Sequence, residues 1–510
     1  MVPIVGSPSF LQIGPRKHEH KPVRHRQRAG AEIANWFVDS VNGNDANSGK
    51  SPSQAFRTIA QLESVWVAGE SVALARGSHW REQMDVPGIG CPIFAYGTGN
   101  RPLLDASDVI TAGQWSKTAG RTNVYECSIT PNWVGAGKDY VNVYEDGINM
   151  VRVANIATCD TTPDSYVLSA EGAGTVTLYV HTEGSDNPAT NGSTYEYTQR
   201  RYGLTGRSYA CTITSVHTQR NLHEDGSLEV GKNSALNDCW ATDGSAHNFL
   251  TEDGTTLTDC VAHNAYWTEG VGAMFVYYSA VGEGLGTTYT DCTTSADDLL
   301  RGGEGGFYGH CGIGGMGDVV HDGCTCENLW TGITVAGNTP NSLIRDCTFT
   351  NCGRAILVNG STVTIEGTNP VTNDGSVHPF DRVMTIQAAV TVDIDDLIIN
   401  LTNTTTGILW QITQAATVTI NNCEITNPST SGCNGLVIQH AGANVTLGQN
   451  TWWSLTWRVY DWFVAPTWAS NNNIFCNANF PFRIGGVSYG TVALYQAGTG
   501  QDAGSQVGGC

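Results

Sequence analysis

Six cysteines recur in one short context: "LNDCWATD", "LTDCVAHN", "YTDCTTSADD", "HDGCTCEN", "IRDCTFTN" and "INNCEITN", at Cys239, Cys260, Cys292, Cys324, Cys347 and Cys423. The steps between them are 21, 32, 32, 23 and 76 residues. A step of 21–23 residues is one turn of a chain that stacks coil upon coil. A step of 32 adds an excursion of roughly 10 residues, and 76 is about three turns. Four residues after a cysteine come Asn264, Asn328, Asn351 and Asn427, with Asp243 in the same slot. Asparagine tolerates the left-handed backbone of a sharp bend, and its side chain can bond the same group one coil above and below. Coils stack about 4.8 Å apart, so identical side chains form columns. The cysteines are expected inside as small hydrophobes and the asparagines at the bend. Thiols in a dry column are inert rather than ligands or nucleophiles. Further on, "STVTIEG", "VTVDIDDLIIN", "ATVTINNCEIT" and "ANVTLGQN" alternate β-branched and polar residues, each burying one face. Their Ile365, Ile394, Ile420 and Leu447 continue the stack at steps of 29, 26 and 27.

A chain of 510 residues has room for two to four average domains or one long repetitive one. Only 14% of residues are charged, glycine is plentiful and no segment sustains a helical period, so the chain is expected to be all-β. Its net charge of -21 is uneven. Residues 1–30 hold six Lys/Arg (Arg16, Lys17, Lys21, Arg24, Arg26, Arg28) and one Glu, leaving 20 basic and 46 acidic side chains in the rest. So acidic a body argues against a nucleic-acid binder. The basic arm is either a disordered tail or a docking arm that orders against an acidic neighbour. No apolar run is long enough to span a bilayer. The opening "MVPIVGSPSFLQIGPRKHEH" does not read as a secretory signal, since its charges follow a weakly apolar part broken by prolines. A virion or extracellular location reached by another route is the expectation. The sixteen cysteines form neither a compact disulfide framework nor a paired CxxC zinc pattern.

The stretch "WFVDSVNGNDANSGKSPSQAFRTIAQLESVWVAGESVALARGSHWRE" (Trp36 to Glu82) resembles the opening of right-handed parallel β-helix proteins of the pectate-lyase-like superfamily. The resemblance implies a first strand, a short capping helix that seals the open end of the stack, and the first coil. "DYVNVYEDGINMVRVANIAT" and "GTVTLYVHTEGSDNPATNGSTYEYTQRRYGLT" look like a small β-rich insertion that many such proteins carry. "SYGTVALYQAGTGQDAGSQVG" is similar to a late-coil motif of carbohydrate-active members. There further strands usually follow, so the last coil here is expected to be covered by a partner or a second copy. The organisation implied is an arm over 1–35, β-helix opening with capping helix over 36–110, insertion over 111–205 and main stack over 206–510.

A β-helix offers a shallow groove suited to a long polymer, walled by the excursions between Cys260 and Cys324. Tyr266, Trp267, Tyr277 and Tyr278 there could stack on sugar rings, or pack beneath the excursions as satellite core. Glycoside hydrolysis needs two carboxylates, one protonated and one not. Asp297 and Asp298 are adjacent and point to opposite faces of a strand, so a partner would come from Glu304 or Glu269, with His310 assisting. The resemblance to polygalacturonase-like hydrolases is partial: "ADDLL" and "YGHCGIGG" lie too close together, and Cys311 displaces a glycine. Lyase chemistry needs a base, for which Arg301, Lys232 and Arg345 are candidates. No cofactor is implied beyond a calcium ion that the acidic cluster could hold over a uronate. "GIGGMG" formally matches a dinucleotide fingerprint but precedes a strand rather than a helix. His247, His263, His310 and His321 fall on successive coils, and solenoid turns hold many unliganded histidines, so no metal is assigned to them.

The catalytic set to look for is therefore Asp297, Asp298, Arg301, Glu304 and His310, with Tyr266, Trp267, Glu269, Tyr277 and Tyr278 binding substrate. Taken together, these features point to a virion-associated, phage tailspike-like β-helix protein that binds, and could depolymerise, cell-surface polysaccharide. Its partners would be other virion proteins at residues 1–35 and its own copies in a trimer. The alternatives are a secreted polysaccharide lyase or glycoside hydrolase, and a non-catalytic decoration protein of a phage particle.

Overall fold

Residues 235–258 show how one coil is made. Ala235–Asn237, Trp240–Gly244 and His247–Glu252 are three short strands, and Thr256–Thr258 then returns to lie beside the first. Leu236 pairs with Leu257 in parallel register, and both are buried. Repetition of this circuit gives, among the described residues, three sheets of 14 strands each. The first runs from Trp36–Val38 to Thr467–Asn471, the second from His79–Trp80 to Gln506–Val507, and the third from Met84–Asp85 to Val487–Tyr489. Neighbours pair in parallel throughout, except the last pair of the third sheet. The architecture is a right-handed parallel β-helix. This computed structural model describes residues 34–132, 140–172, 174–223, 225–265, 273–278, 287–297, 311–316, 319–336, 341–360, 362–373, 382–401, 407–426, 433–452, 459–462, 467–476 and 482–507.

The bends explain the sequence ladder. Asp243, Asn264, Asn328 and Asn351 have φ of 54°, 50°, 57° and 51°, the left-handed region that short polar side chains visit most readily. A second column stands directly before the cysteines: Asp238, Asp259, Asp291, Asp346 and Asn422, at φ of 51–55°. The two bends frame the short second-sheet strand. Asn264 bridges coils, its Nδ2 lying 3.3 Å from both Asp243 Oδ1 and Asp297 Oδ2. All six ladder cysteines are buried in the core. Burial holds the Cys239 and Cys260 thiols well above their usual range, and a hydrogen bond with Cys347, followed by burial, does the same at Cys324. Alkylation of the native protein is therefore expected to leave these six peptides unmodified until the fold is melted, as peptide mass mapping will show. Cys476, outside the ladder, is disulfide-bonded.

A short helix packs into each end of the core. Helix α1 (Ile59–Glu63) is capped by Thr58, whose hydroxyl accepts from Gln61 N, and buries Ile59 and Leu62 in the same cluster as Trp36 and Trp66. A second helix, α2 (Ile156–Thr161), lies within the insertion. Helix α3 (Val492–Thr499) ends at Gly500, whose φ of 70° closes it. Its Tyr495 stacks on Phe482 at 4.2 Å, and Val492 is fully buried with it. Helix α3 thus adds Val492 and Tyr495 to the core beside the last strands.

Between Leu103–Asp105 and Leu204–Gly206 the chain leaves the stack and builds a four-stranded and a five-stranded sheet. Their own core includes Ile110, Trp115, Val143, Leu178 and Tyr195. A buried ion network stands at the root of this insertion. Arg81 and Arg220 from the stack both bind Glu196 of the insertion, and both face Asp105, at 3.3 and 4.0 Å.

One core residue is out of keeping with its neighbours. His321 is fully buried, stacks on Tyr289 at 5.3 Å, and has no hydrogen-bond partner on either ring nitrogen. Burial pushes it down to about 3. His217 is pushed to about 4 by burial and then by the Arg101 charge. A histidine whose folded value lies below its unfolded value costs stability as it is forced to charge. The fold should therefore lose stability as pH falls from about 6.5 towards 3. His321→Phe is expected to flatten part of that acid limb, read as melting temperature against pH.

Candidate functional site

Most of the constellation expected from the sequence lies outside the described residues: Asp298, Arg301, Glu304, His310, Tyr266, Trp267 and Glu269. Tyr277 and Tyr278 belong to the third-sheet strand Ala273–Tyr278, in register with Thr251 and Glu252. Asp297 is placed at the end of the second-sheet strand Thr293–Ser295. Its Oδ2 accepts from His263 Nε2 at 3.0 Å, while His263 Nδ1 lies 2.9 Å from Ser295 Oγ. Asn264 holds it twice, accepting from Asp297 N at 3.0 Å and donating to Oδ2. Partial burial raises its carboxyl, but the hydrogen bonds and charge of His263 and the bond from Asn264 outweigh that and lower it. The side chain is 76% exposed. Asp297 is thus an ionised acceptor. It is not the protonated member of an acid pair.

A carboxyl pair shifted in opposite directions does exist, on the third sheet three coils earlier. In the strand Gly226–Val230, Leu228 and Val230 belong to the core, so Glu229 between them points away from it. Glu229 is nevertheless fully buried. Its Oε2 accepts from Thr205 Oγ1 at 3.0 Å, and its Oε1 has no hydrogen-bond partner. Burial, and then the Asp225 charge, push this carboxyl up to about 8, against the pull of Arg207, Thr205 and Arg201. It is a neutral acid at pH 7. Asp225 moves the other way. Burial raises it, but a hydrogen bond from His223 and the Arg207 charge lower it on balance. Arg207 Nη1 donates to Asp225 Oδ2 at 2.6 Å, and His223 Nδ1 lies 3.2 Å from the same oxygen. Tyr202 packs edge-on against His223 at 5.8 Å, with Arg201 over its ring.

Two carboxyls whose surroundings push their titrations apart are the acid and base of many hydrolytic sites. Here Glu229 can donate a proton and Asp225 can accept one. In the sequence, "EDGSLEVG" gave one usable signal, the outward Glu between two inward residues. What raises it, burial and then the Asp225 charge, is opposed by Arg207 and Thr205 of the preceding coil. Among the described residues no three His, Cys, Asp or Glu side chains gather as metal ligands, so calcium is given no donor set by them. No helix among them is long and apolar enough to cross a membrane.

No family model and no curated protein matches the chain. Among solved structures it is similar to XylC in complex with xylose, at 12% identity over 78% of this chain and 77% of that one, TM-score 0.43. It is similar to the GH136 lacto-N-biosidase of Eubacterium ramulus at 11% identity, covering 93% of this chain and 66% of that one, TM-score 0.36. Tailspike gp61 of Pseudomonas phage phi297 matches at 12% identity over 82% and 72%, TM-score 0.25. These likenesses concern the course of the backbone, and the site rests on its own residues.

Proposed function

We propose that the chain is a polysaccharide-binding β-helix of the tailspike kind that hydrolyses a glycosidic bond at the third sheet. In this reading Glu229 is the general acid and Asp225 the base that activates water. The observation that carries it is the Glu229–Asp225 pair, one carboxyl raised and the other lowered, with Arg207 bonded to Asp225. Arg207 has two effects here: it keeps Asp225 ionised, and it restrains Glu229 from rising further. Arg207 holds one Asp225 oxygen and His223 Nδ1 accepts from Asp225 N at 3.2 Å, so the base is oriented before substrate arrives. A base that delivers water directly yields a product of inverted anomeric configuration.

The test is incubation of the full chain with a panel of neutral and acidic bacterial surface polysaccharides. Falling viscosity and new reducing ends are expected on at least one polymer, without the ultraviolet absorbance of an unsaturated lyase product. Flat traces on every polymer, together with an empty glycan-binding screen, would overturn the proposal. A lyase chromophore would transfer it to elimination chemistry. The same proposal takes residues 1–35 as the arm that docks on other virion proteins and the working form as a homotrimer. Light scattering is then expected to give about three times the chain mass of 54.4 kDa.

A further inference from the structure

The second sheet carries an arrangement that glycoside hydrolysis does not use. Ser295, His263 and Asp297 are linked in a row, Ser295 Oγ to His263 Nδ1 at 2.9 Å and His263 Nε2 to Asp297 Oδ2 at 3.0 Å. His263 and Ser295 are register partners on adjacent strands, so the sheet itself holds base beside hydroxyl. An ionised carboxylate only accepts, so Asp297 fixes the imidazole proton on Nε2. That leaves the Nδ1 lone pair facing the Ser295 hydroxyl. Asn264, through its two bonds to Asp297, keeps the carboxylate in place. The row is open to solvent: the His263 side chain is 30% exposed and Ser295 is half-buried.

We propose that Ser295, His263 and Asp297 form a nucleophile, base and orienting group that hydrolyse small neutral acyl esters, such as O-acyl groups on glycan hydroxyls. Ser295 Oγ would attack the acyl carbon as its proton passes to His263 Nδ1. The tetrahedral adduct then breaks its bond to the sugar oxygen, which leaves with that proton as a free hydroxyl. Water attacks the acyl-serine next, again giving its proton to Nδ1. The carboxylic acid departs and the serine proton returns. Glu327 is the register partner of Ser295 on the following strand and is exposed, so it disfavours esters that carry a negative charge nearby.

The test uses the full chain with p-nitrophenyl acetate and a fluorophosphonate probe, the labelled peptide being mapped by mass spectrometry. Label is expected on Ser295, with ester turnover falling by about a hundredfold or more in Ser295→Ala. Asp297→Asn should lower turnover by a similar factor with KM little changed, because it reverses the imidazole tautomer. A merely structural Asp297 would not produce that split. Absence of label from Ser295, or turnover in Ser295→Ala equal to that of the parent protein, overturns the proposal. Should a variant fail to fold, the position of the label on the unaltered chain still decides.

Discussion

Glu229→Gln is expected to lower polysaccharide cleavage by about a hundred- to ten-thousandfold while leaving the stack folded. Glutamine keeps the shape and the acceptor that takes the Thr205 hydrogen bond. It removes the one proton that the buried carboxyl holds at neutral pH. The pH dependence follows from the same environment. Because burial and Asp225 push Glu229 up to about 8, cleavage should fall as pH rises through that value. The stability sign is opposite to that of an ordinary carboxylate. A carboxyl whose folded value exceeds its unfolded one contributes most below the unfolded value, about 4.3, and that contribution is lost as pH rises towards 8. Glu229→Gln has no proton to lose, so it should melt at the same temperature or higher than the parent above pH 8. Lost cleavage with retained alkaline stability assigns the carboxyl to chemistry. Full cleavage in the variant would remove Glu229 from the site. Asp225→Asn should slow cleavage too, and should let the remaining carboxyl titrate lower, since the Asp225 charge is one of the causes that raise it.

The fold was legible because a solenoid writes its geometry into periodic positions. Cys239 and Cys260 differ by one coil, and Asp243 and Asn264 fall at equivalent bends of those coils. The companion column, Asp238 through Asn422, was equally visible in "NDC", "TDC", "RDC" and "NNC". An aspartate beside a cysteine reads as an ordinary polar neighbour until a bend on that side is required. The site was far less legible. Asp297 stood out because it belongs to a glycine-rich excursion beside a second aspartate, yet its partners make it an orienting acceptor. Glu229 offered only its outward place between Leu228 and Val230. Burial and then the Asp225 charge raise its carboxyl, against the pull of Arg207 and Thr205, more than twenty residues earlier, which only the closed coil brings to it. Outward placement follows from alternation. Desolvation of an outward residue follows from how coils and excursions close over it, which periodicity does not encode.

Removing the Asp105 charge is expected to cost about 3–5 kcal/mol, the loss typical of a buried ion pair stripped of one partner. Asp105 is fully buried at the point where the insertion leaves the stack. Its Oδ1 accepts from Ser107 N at 2.9 Å and Ser107 Oγ at 2.7 Å, and its Oδ2 from Gln219 Nε2 at 2.8 Å. His79 Nε2 lies 3.1 Å from Oδ2. Burial alone would raise this carboxyl. The His79 hydrogen bond, the Arg220 charge, Ser107 and Arg81 outweigh it and hold the group well below the usual carboxylate range. In Asp105→Asn, Arg81 and Arg220 are left to share Glu196, with Arg220 only 8% exposed. The loss should show first in the insertion, read as faster amide exchange in its peptides around Val143 and Leu178 than in those of the stack. Followed by the same exchange, its urea midpoint should fall while that of the stack moves less. A folded value below the unfolded one places this stabilisation above about pH 3.9 and removes it as pH falls further. The difference between parent and variant should therefore shrink in acid. An Asp105→Asn protein within about 0.5 kcal/mol of the parent at neutral pH would mean the two arginines reach water once the carboxylate is gone. The network would then be a consequence of the junction, and the apolar contacts of the insertion would be what holds it to the coils.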